Sequence, residues 1–481
     1  MAKQVSPGVL ALRKVVDDVY ADARKAKAEG KLVGWSSSKF PCELAEAFDL
    51  NVMYPENQAA GIAANRDGEI MCQAAEDLGF DNDICGYARI SLAYAAGKRA
   101  ARKIDWDKED GYVINPRTGK PLKDADGNIV MGPDGKPVKD PKTQTPYIVL
   151  EDIYEIEALP EGREKERRRE SIQPYRQMRM PQPDFVLCCN NICNCMTKWY
   201  ENIARMCNIP LIMIDVPYNN TMDPNPENVK YIRAQFDNAI KQLEELTGKK
   251  FDEAKFEHAC KQANRTAQNW LKVCNYLQYK PAPLSGFDLF NHMADVMTAR
   301  GKKEAADAFD LLAEDLEKNI KEGTSTLPFP EQYRVMFEGI PCWPKLPNLF
   351  KPLKANGINV TAVVYAPAFG FVYNNMDEMV SAYCKAPNSV SIEKGVEWRE
   401  GICRANKVEG VLVHYNRSCK PWSGYMAEMQ RRFTADLGIP CAGFDGDQAD
   451  PRNFNEAQYE TRVQGLVEAM QIRAEKLEAQ A

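Results

Sequence analysis

The chain has 481 residues, a formal net charge of −6 at pH 7, and a composition that is 44% hydrophobic and 27% charged. This length predicts about three domains, and the lack of a Lys and Arg excess argues against a nucleic-acid partner. No apolar run approaches the roughly 18 residues that cross a bilayer, so we expect no membrane segment. The first residues are typical of an amphipathic helix rather than a secretory signal, which predicts a cytoplasmic protein.

Fifteen cysteines are the informative part of the composition. In a reducing compartment, cysteines are buried small hydrophobes or ligands of metal and redox centres rather than disulfides. The three histidines make zinc chemistry built on imidazole a poor match. Six cysteines stand singly in apolar or helical contexts and are interpreted as core residues: Cys72, Cys207, Cys260, Cys274, Cys384 and Cys403.

The first stretch predicts a βαβ unit. The expected elements are a helix over 7–29, a strand over 32–35, a helix over 43–48 and a strand over 51–54. Parallel strands end at the same edge of a sheet, where such folds bind ligands, so Ser38 and Glu56 should lie close together there. A helix around 72–77 follows. The next turn holds Cys85, which by itself we would interpret as a core residue.

Residues 104–180 differ from the rest of the chain in their sequence pattern. They repeat Gly-Lys-Pro-apolar-Lys-Asp, with Asp-Gly pairs that predict β-hairpins. A charge run over 161–170 predicts a solvated helix. We interpret 104–180 as a surface insertion, between a helix that ends near 103 and a strand that begins at 184, and expect no chemistry in it.

The stretch 184–201, DFVLCCNNICNCMTKWYE, predicts a strand, a turn and a helix that starts near Met196. Four cysteines cluster at this turn: Cys188, Cys189, Cys193 and Cys195. Residues 210–217 predict a buried strand, and 226–323 predict four or five helices.

The last third returns to alternating strands and helices, and Cys419 lies in NRSCKPW, another predicted strand-to-helix turn. The predicted fold is α/β, with two Rossmann- or flavodoxin-like parallel-sheet lobes and a helical middle segment. The expected domains are 1–225 with the insertion 104–180, 226–330, and 331–481.

The spacing C-C-x3-C-x-C matches neither a zinc ribbon nor a ferredoxin run, so a cluster, a structural zinc and core thiols all remain open. The chain has no phosphate-binding G-x-x-x-x-G-K-[ST] loop and no G-x-G-x-x-G fingerprint. The Asp-rich stretch GFDGDQADPRNF lacks the spacing of a calcium loop.

Several long motifs carry a family resemblance: VGWSSSKFPCELAEAFDLNVMYPENQAAG, ICGYAR, LCCNNICNCMTKWYENI, EGIPCWP, HYNRSCKPWSGYMAEMQRR and GFDGDQADPRNFNEAQYETRVQGLVEAM. The chain resembles the α subunits of the 2-hydroxyacyl-CoA dehydratases, relatives of benzoyl-CoA reductase, nearly end to end except for 104–180. Because of the extra length of this insertion, the chain most resembles the family member that acts on (R)-2-hydroxyglutaryl-CoA, a lyase of glutamate fermentation.

The resemblance implies a [4Fe–4S] cluster held by Cys85, Cys193 and Cys419, with Cys189 as the fallback for Cys193. Three protein ligands leave one iron open to act as a Lewis acid. The implied reaction removes water to give glutaconyl-CoA. One electron added to the thioester carbonyl forms a ketyl radical, which expels the hydroxyl and acidifies the β-proton, and the electron is then returned.

The resemblance also implies active-site roles for Glu56 as acid or base and for Ser38 as a hydrogen-bonding group. From the sequence alone, Glu56 equally fits a helix-initiating carboxylate. Arg89 and Arg417 could balance the cluster charge or, less favourably, hold a substrate carboxylate. The implied partners are a homologous β subunit in a heterodimer, a separate ATP-dependent iron–sulfur activator, and the acyl-CoA substrate.

Three alternatives stay open. The first is a sister dehydratase for phenyllactyl-, lactoyl- or 2-hydroxyisocaproyl-CoA. The second is an electron-transfer subunit whose cluster has a fourth protein ligand, such as Cys189 or Cys342. The third is a catalytically silent structural partner, against which Ser38 and Glu56 at adjoining strand ends argue.

Overall fold

A computed structural model describes residues 5–108, 111–172, 179–191, 193–221, 223–386 and 389–480. The first part, up to residue 95, holds two strands and five helices: α1 (Pro7–Ala28), β1 (Val33–Ser36), α2 (Cys42–Ala47), β2 (Asn51–Met53), α3 (Pro55–Ala64), α4 (Gly68–Asp77) and α5 (Gly86–Ala95). The predicted helix 7–29 and the predicted βαβ opening are confirmed, each to within one or two residues.

The segment that we interpreted as an insertion, together with the strand β3 that precedes it, contains short antiparallel pairs and two helices: β3 (Lys98–Arg102), β4 (Ile104–Asp105), β5 (Gly111–Tyr112), β6 (Ile148–Asp152), α6 (Ile153–Ala158) and α7 (Arg163–Ser171). Strand β3 pairs with β6, and β4 with β5. The expectation of a helix that ends near residue 103 is wrong. Gly97, at φ +86°, ends the helical region and turns the chain into β3, because a glycine adopts this conformation without strain.

The N-terminal sheet is completed by β7 (Phe185–Cys189), α8 (Asn194–Cys207) and β8 (Leu211–Ile214). Its four strands run parallel in the order β2-β1-β7-β8. Gly34 of β1 is in register with Val52 on one side and Phe185 on the other. The carboxyl ends of β1, β2 and β7 therefore meet at one edge.

Four long helices form the middle of the chain: α9 (Pro226–Thr247), α10 (Glu253–Asn275), α11 (Gly286–Thr298) and α12 (Lys303–Glu322). They confirm the predicted helical stretch. Helix α1 packs against α11 and α12, so the amino-terminal helix and the middle helices form one layer. No helix of the described residues is long and apolar enough to cross a membrane.

The C-terminal part alternates strands and helices: β9 (Tyr333–Glu338), α13 (Leu346–Ala355), β10 (Ile358–Val363), α14 (Met376–Tyr383), α15 (Ile392–Ala405), β11 (Gly410–Asn416), α16 (Lys420–Ser423), α17 (Met426–Leu437), β12 (Cys441–Gly446) and α18 (Glu456–Glu478). The second sheet is also parallel, in the order β10-β9-β11-β12. The predicted fold class, α/β with two parallel-sheet lobes, is confirmed. Helix α15 was not predicted.

One hydrophobic core joins the two lobes. It contains Trp35 of β1, Tyr200 of α8, Phe290 of α11 and Phe337 of β9. Burying large aromatic side chains is worth about 1.5–3 kcal/mol each, and here this burial holds the carboxyl-end edges of the sheets against shared helices. The edges that carry the candidate residues are therefore fixed relative to each other.

Candidate active site

The Glu56 carboxyl lies where the sequence predicted, beside Ser38. The backbone N–H of Ser38 donates to Glu56 Oε1 at 3.0 Å, and the Ser38 hydroxyl donates to the same oxygen at 2.8 Å. The hydroxyl of Tyr200, from α8, lies 2.8 Å from Glu56 Oε2 and 3.0 Å from the carbonyl oxygen of Ser36. Every hydrogen-bond donor on this carboxyl is therefore neutral.

Burial sets the protonation of this group. Glu56 is only 5% exposed. Removal from water raises the pKa of Glu56, although the hydrogen bonds from Ser38 and Tyr200 oppose that rise. Glu56 also lies in the first turn of α3, after Pro55, as its helix-initiating interpretation requires. The carboxyl thus has both a structural position and the properties of a proton-exchanging group.

A cavity of about 180 Å³ adjoins Glu56, and we call it the inner cavity. Its wall includes Glu56, Asn57, Tyr87, Trp343 and Tyr365. The indole N–H of Trp343 donates to the Tyr87 hydroxyl. Burial raises the pKa of Tyr365, and the charges of Glu56, Cys419 and Cys85 raise it further. Tyr365 therefore lies within electrostatic reach of both the carboxyl and the thiols.

The three predicted ligand cysteines occupy equivalent positions. Cys85, Cys193 and Cys419 each immediately precede a helix, α5, α8 and α16 respectively. Each thiol accepts a backbone N–H from its helix: from Ala88, Met196 and Trp422 in the same order. Exposed N–H groups at a helix start favour an anionic ligand and a thiolate.

The thiols of the two lobes also lie close enough to interact. Burial raises the pKa of Cys85, and the neighbouring thiols of Cys195, Cys419 and Cys193 raise it further. Burial likewise raises the pKa of Cys419 to about 12, with contributions from Asp447 and Cys195. The structure thus brings Cys195 to the three predicted positions. The fallback Cys189 is buried in β7, where Lys39 and Asp215 are the charges that act on it.

These thiols do not form the ligand shell of a single ion. Within the residues described, no three His, Cys, Asp or Glu side chains are arranged to hold one metal ion. A cubane cluster binds each cysteine through a different iron, so its sulfur ligands stand farther apart than those around one ion. The thiols do lie near enough to shift each other's pKa, and soft sulfur donors are the ligands that suit an iron–sulfur cluster.

Contacts from the C-terminal lobe fix the Cys85 turn. The N–H of Gly86 donates to Ser418 Oγ at 2.9 Å, and Gln448 Nε2 lies 3.2 Å from Cys85 Sγ. A Cβ at Gly86 would lie 2.7 Å from Asp447 Oδ1, so only glycine permits this approach. Cys85 is therefore held at the junction of the two lobes.

Arg89 and Arg417 differ in burial and in their contacts. Arg89 is fully buried and its Nη1 pairs with Glu76 at 2.7 Å and Asp450 at 3.0 Å. These contacts remove it from the candidates for a substrate carboxylate. Arg417 is exposed, and its backbone N–H donates to the carbonyl oxygen of Gly446.

Sequence reasoning missed four residues of this site: Tyr200, Tyr365, Gln448 and the contact role of Cys195. Gln448 follows β12 and Tyr365 follows β10, so both lie at the carboxyl edge of the second sheet. The strand order was the missing information, because it decides which turns become neighbours. Tyr200 lies inside one of the long family motifs, but a motif does not show in which direction a side chain points.

The fold and site together define a two-lobed α/β enzyme in which a buried carboxyl can exchange a proton beside a group of thiols. The family described as 2-hydroxyglutaryl-CoA dehydratase, D-component, matches residues 167–470. The chain belongs to this family. The predicted family and the predicted class, a dehydratase among the hydro-lyases, are confirmed.

Three relatives show how similar the chain is to individual members of this family. The chain is 74% identical over 476 residues to (R)-2-hydroxyglutaryl-CoA dehydratase, subunit alpha, of Acidaminococcus fermentans, covering 99% of each chain. It is 45% identical to the (R)-phenyllactyl-CoA dehydratase alpha subunit of Clostridium sporogenes, over 96% of both chains. It is 42% identical to the (R)-2-hydroxyisocaproyl-CoA dehydratase alpha subunit of Clostridioides difficile, also over 96% of both chains.

Proposed function

We propose that this chain is the catalytic α subunit of an enzyme that removes water from (R)-2-hydroxyglutaryl-CoA to give glutaconyl-CoA. The observation that carries the proposal is the buried Glu56 carboxyl, hydrogen-bonded by Ser38 and Tyr200 and facing the inner cavity. The substrate follows from the 74% identical relative of that name.

We further propose that Cys85, Cys193 and Cys419 hold a [4Fe–4S] cluster at the junction of the lobes. Their positions before three helices supply backbone N–H groups toward an anionic group. When bound, the cluster supplies one-electron chemistry and an iron with an open coordination position, which the radical route implied by the resemblance needs.

The chain's own residues then handle protons and orientation. Burial raises the pKa of Glu56 and so favours its protonated form, and this carboxyl would protonate the leaving hydroxyl and afterwards accept the β-proton. Ser38 and Tyr200 fix the carboxyl in one orientation from opposite sides. The inner cavity, whose wall includes the rings of Tyr87, Trp343 and Tyr365, provides a site for the reacting carbons beside Glu56.

The names of the relatives and the sequence of this chain also support proposals about its partners, its location and its domains. Relatives are named as alpha subunits, which supports a heterodimer with a homologous β subunit. The resemblance implies a separate ATP-dependent iron–sulfur activator that delivers the electron, and the chain itself has no G-x-x-x-x-G-K-[ST] loop. Free cysteines support a cytoplasmic location. We retain 1–225, 226–330 and 331–481 as the proposed domains, with 104–180 as the insertion.

The test is iron and acid-labile sulfide content, with Mössbauer spectra, on anaerobically purified heterodimer. Cys85→Ser, Cys193→Ser and Cys419→Ser should each lose iron, and the core variant Cys260→Ser should keep it. Full iron in Cys193→Ser together with loss in Cys195→Ser would move that ligand to Cys195. Loss of iron in the Ser variants of all four of these cysteines, Cys85, Cys193, Cys195 and Cys419, would favour the four-ligand electron-transfer alternative instead.

The substrate is tested separately, because sister dehydratases act on other acyl groups. The four thioesters to compare are 2-hydroxyglutaryl-, phenyllactyl-, 2-hydroxyisocaproyl- and lactoyl-CoA, with the activator in excess. We expect the highest kcat/KM for 2-hydroxyglutaryl-CoA. A higher value for another thioester would reassign the substrate and leave the cluster assignment untouched.

A further inference from the structure

A side-chain amide from the C-terminal lobe contacts the sulfur of Cys85. Gln448 is fully buried, and its Nε2 donates to Cys85 Sγ at 3.2 Å. A deprotonated cysteine sulfur has lone pairs and no hydrogen, so it takes the N–H of an amide rather than the oxygen. Cys193 and Cys419 receive N–H groups from the backbone of their own helices. Gln448 therefore gives one of the three proposed ligands a donor from the opposite lobe.

The turn that follows β12 holds this amide in place. Asp447 Oδ1 accepts two backbone N–H groups of the turn, at 2.8 and 3.0 Å. The backbone carbonyl oxygen of Gln448 accepts the N–H of Trp343 at 3.2 Å, and its side-chain Oε1 lies 3.5 Å from the Ser418 hydroxyl. These contacts restrain both the backbone of Gln448 and the far end of its side chain, so the N–H stays directed at Cys85.

A hydrogen bond to a ligand sulfur changes how readily an iron–sulfur cluster takes up an electron. The added electron makes the thiolate ligands more negative, and an N–H donor stabilises the more negative sulfur more strongly. The donor thus favours the reduced state and raises the reduction potential. Burial strengthens this effect, because a hydrogen bond in a low-dielectric interior is electrostatically stronger than one in water.

We propose that Gln448 raises the reduction potential of the [4Fe–4S] cluster by donating its side-chain N–H to the Cys85 sulfur. This inference rests on the proposed function, because the contact can act on a cluster only if Cys85 binds one. Gln448 has no proton to exchange, and its role requires no contact with the substrate. It would make the cluster easier to reduce by the activator.

The experiment measures the reduction potential in anaerobically purified heterodimer, by titration with a chemical reductant and detection by electron paramagnetic resonance. The β subunit is the same in every sample, so a difference between samples reports on this chain. Iron content is measured first. Wild-type heterodimer in which this chain binds no iron would overturn the cluster assignment and this inference together. Normal iron with an unaltered potential in the variants would overturn this inference alone.

Two substitutions remove the donor in different ways. Gln448→Met keeps the length of the side chain but has no N–H group, and Gln448→Glu keeps its shape but replaces the donor with an oxygen. Gln262→Met is the matched control. Gln262 is also buried, but it lies on α10, which carries none of the proposed ligands.

We expect Gln448→Met to keep its iron and to shift the equilibrium for cluster reduction about tenfold toward the oxidised state, a potential about 59 mV lower for a one-electron couple. Gln448→Glu should shift it at least as far, and Gln262→Met should match wild type. If Gln448→Met loses its iron, the potential of Gln448→Glu decides. Loss of iron in both variants would overturn the inference, because Gln448 would then hold the cluster in place rather than set its potential.

Discussion

The two lobes each bury one carboxylate at the carboxyl end of a parallel strand, and the two differ in their partners. Glu338 ends β9, is fully buried, and lies 3.0 Å from both Nε and Nη2 of Arg399, whose guanidinium also contacts the Tyr425 hydroxyl. Glu56 follows β2 and has only hydroxyl and amide donors. One carboxylate is paired with a cation, and the other has neutral hydrogen-bond donors.

This difference distinguishes a carboxylate that is paired with a cation from the carboxylate that we propose as catalytic, within the same topology. Burial raises the pKa of both groups, but at Glu338 the Arg399 charge opposes that rise. A permanent cation would hold Glu56 ionised and prevent it from acting as an acid. Neutral donors and an adjoining cavity are therefore the features that support the proposed acid–base role of Glu56.

The largest expected effect is that of Glu56→Gln. The amide keeps the shape and the bonds to Ser38 but cannot exchange a proton, so turnover should fall by roughly 10²–10⁴-fold with an intact cluster and unchanged substrate binding. The measurement is kcat with activator in excess. Activity within a few-fold of wild type would return Glu56 to its role as a helix-initiating residue.

The same variant has a second, independent readout in stability. Because the folded-state pKa of Glu56 is raised, the folded protein binds the proton more tightly than the unfolded chain, and stability falls as pH rises above about 4.5. Gln removes this loss. We therefore expect Glu56→Gln to be at least as stable as wild type at pH 7 in chemical denaturation. Lower stability of Glu56→Gln at pH 7 would contradict this expectation.

The next largest expected effect is on the stability of the C-terminal lobe. Arg399→Met leaves Glu338 buried without a cation, which should cost about 3–5 kcal/mol of unfolding free energy. Adding Glu338→Gln should recover much of that loss. Arg404→Met on the same helix removes only an exposed pair with Glu400 and should cost less than about 1 kcal/mol. A similar loss of unfolding free energy in Arg399→Met and Arg404→Met would contradict the difference that we describe between the two carboxylates.

A smaller effect concerns His414, a buried group of β11 that must stay uncharged. Its Nδ1 lies 2.6 Å from the carbonyl oxygen of Ile340 and its ring stacks on Phe444. Burial lowers the pKa of His414 to about 4 from 6.5. The unfolded chain thus binds a proton more readily, and stability is lost as pH falls from 6.5 toward 4. This loss is about 3 kcal/mol.

Denaturation between pH 4.5 and 7.5 measures this loss. His414→Gln should have a flatter pH dependence than wild type, whatever its stability at pH 7. The exposed His258 provides the control, and His258→Gln should leave the slope unchanged. An unchanged slope in His414→Gln would mean that other groups cause the acid lability.

The predicted proximity of Ser38 and Glu56 is confirmed, because one structural rule applied to it. Parallel strands end at a common edge, so the predicted βαβ unit alone could place these residues together, and the structure has the Ser38 hydroxyl 2.8 Å from Glu56 Oε1. The contacts of Cys85 with Ser418 and Gln448 could not be predicted, because they depend on how two separate sheets pack through a shared core. Local patterns carry no information on that packing.

Failures of the fold prediction have local causes. Helix α15 was missed because its sequence, IEKGVEWREGICRA, contains two glycines that weaken a helical pattern, while its buried face comes from Val396 and Cys403. The expected helix near residue 103 failed at Gly97. In both places tertiary contacts or a single backbone conformation outweighed propensity.

The smallest expected effect concerns the tip of the 104–180 segment, farthest from either carboxylate. The base of this segment is fixed: β3 pairs with β6, and Ala101, Ile156 and Ile172 form a small core. A deletion of 107–175 would remove part of that core, so the informative deletion is narrower. Asn115 N–H donates to the Thr145 carbonyl oxygen at 2.8 Å, which leaves the ends of 117–143 close together.

Replacing residues 117–143 with an Asn-Gly turn should leave iron content, turnover and heterodimer formation unchanged. The deleted stretch has only isolated bridges between its described residues and contributes no large core side chain. The measurements are iron per dimer, kcat, and sedimentation with the β subunit and with the activator. If iron is retained but turnover or activator binding is lost, this tip docks a partner, and our expectation that it carries no function is wrong.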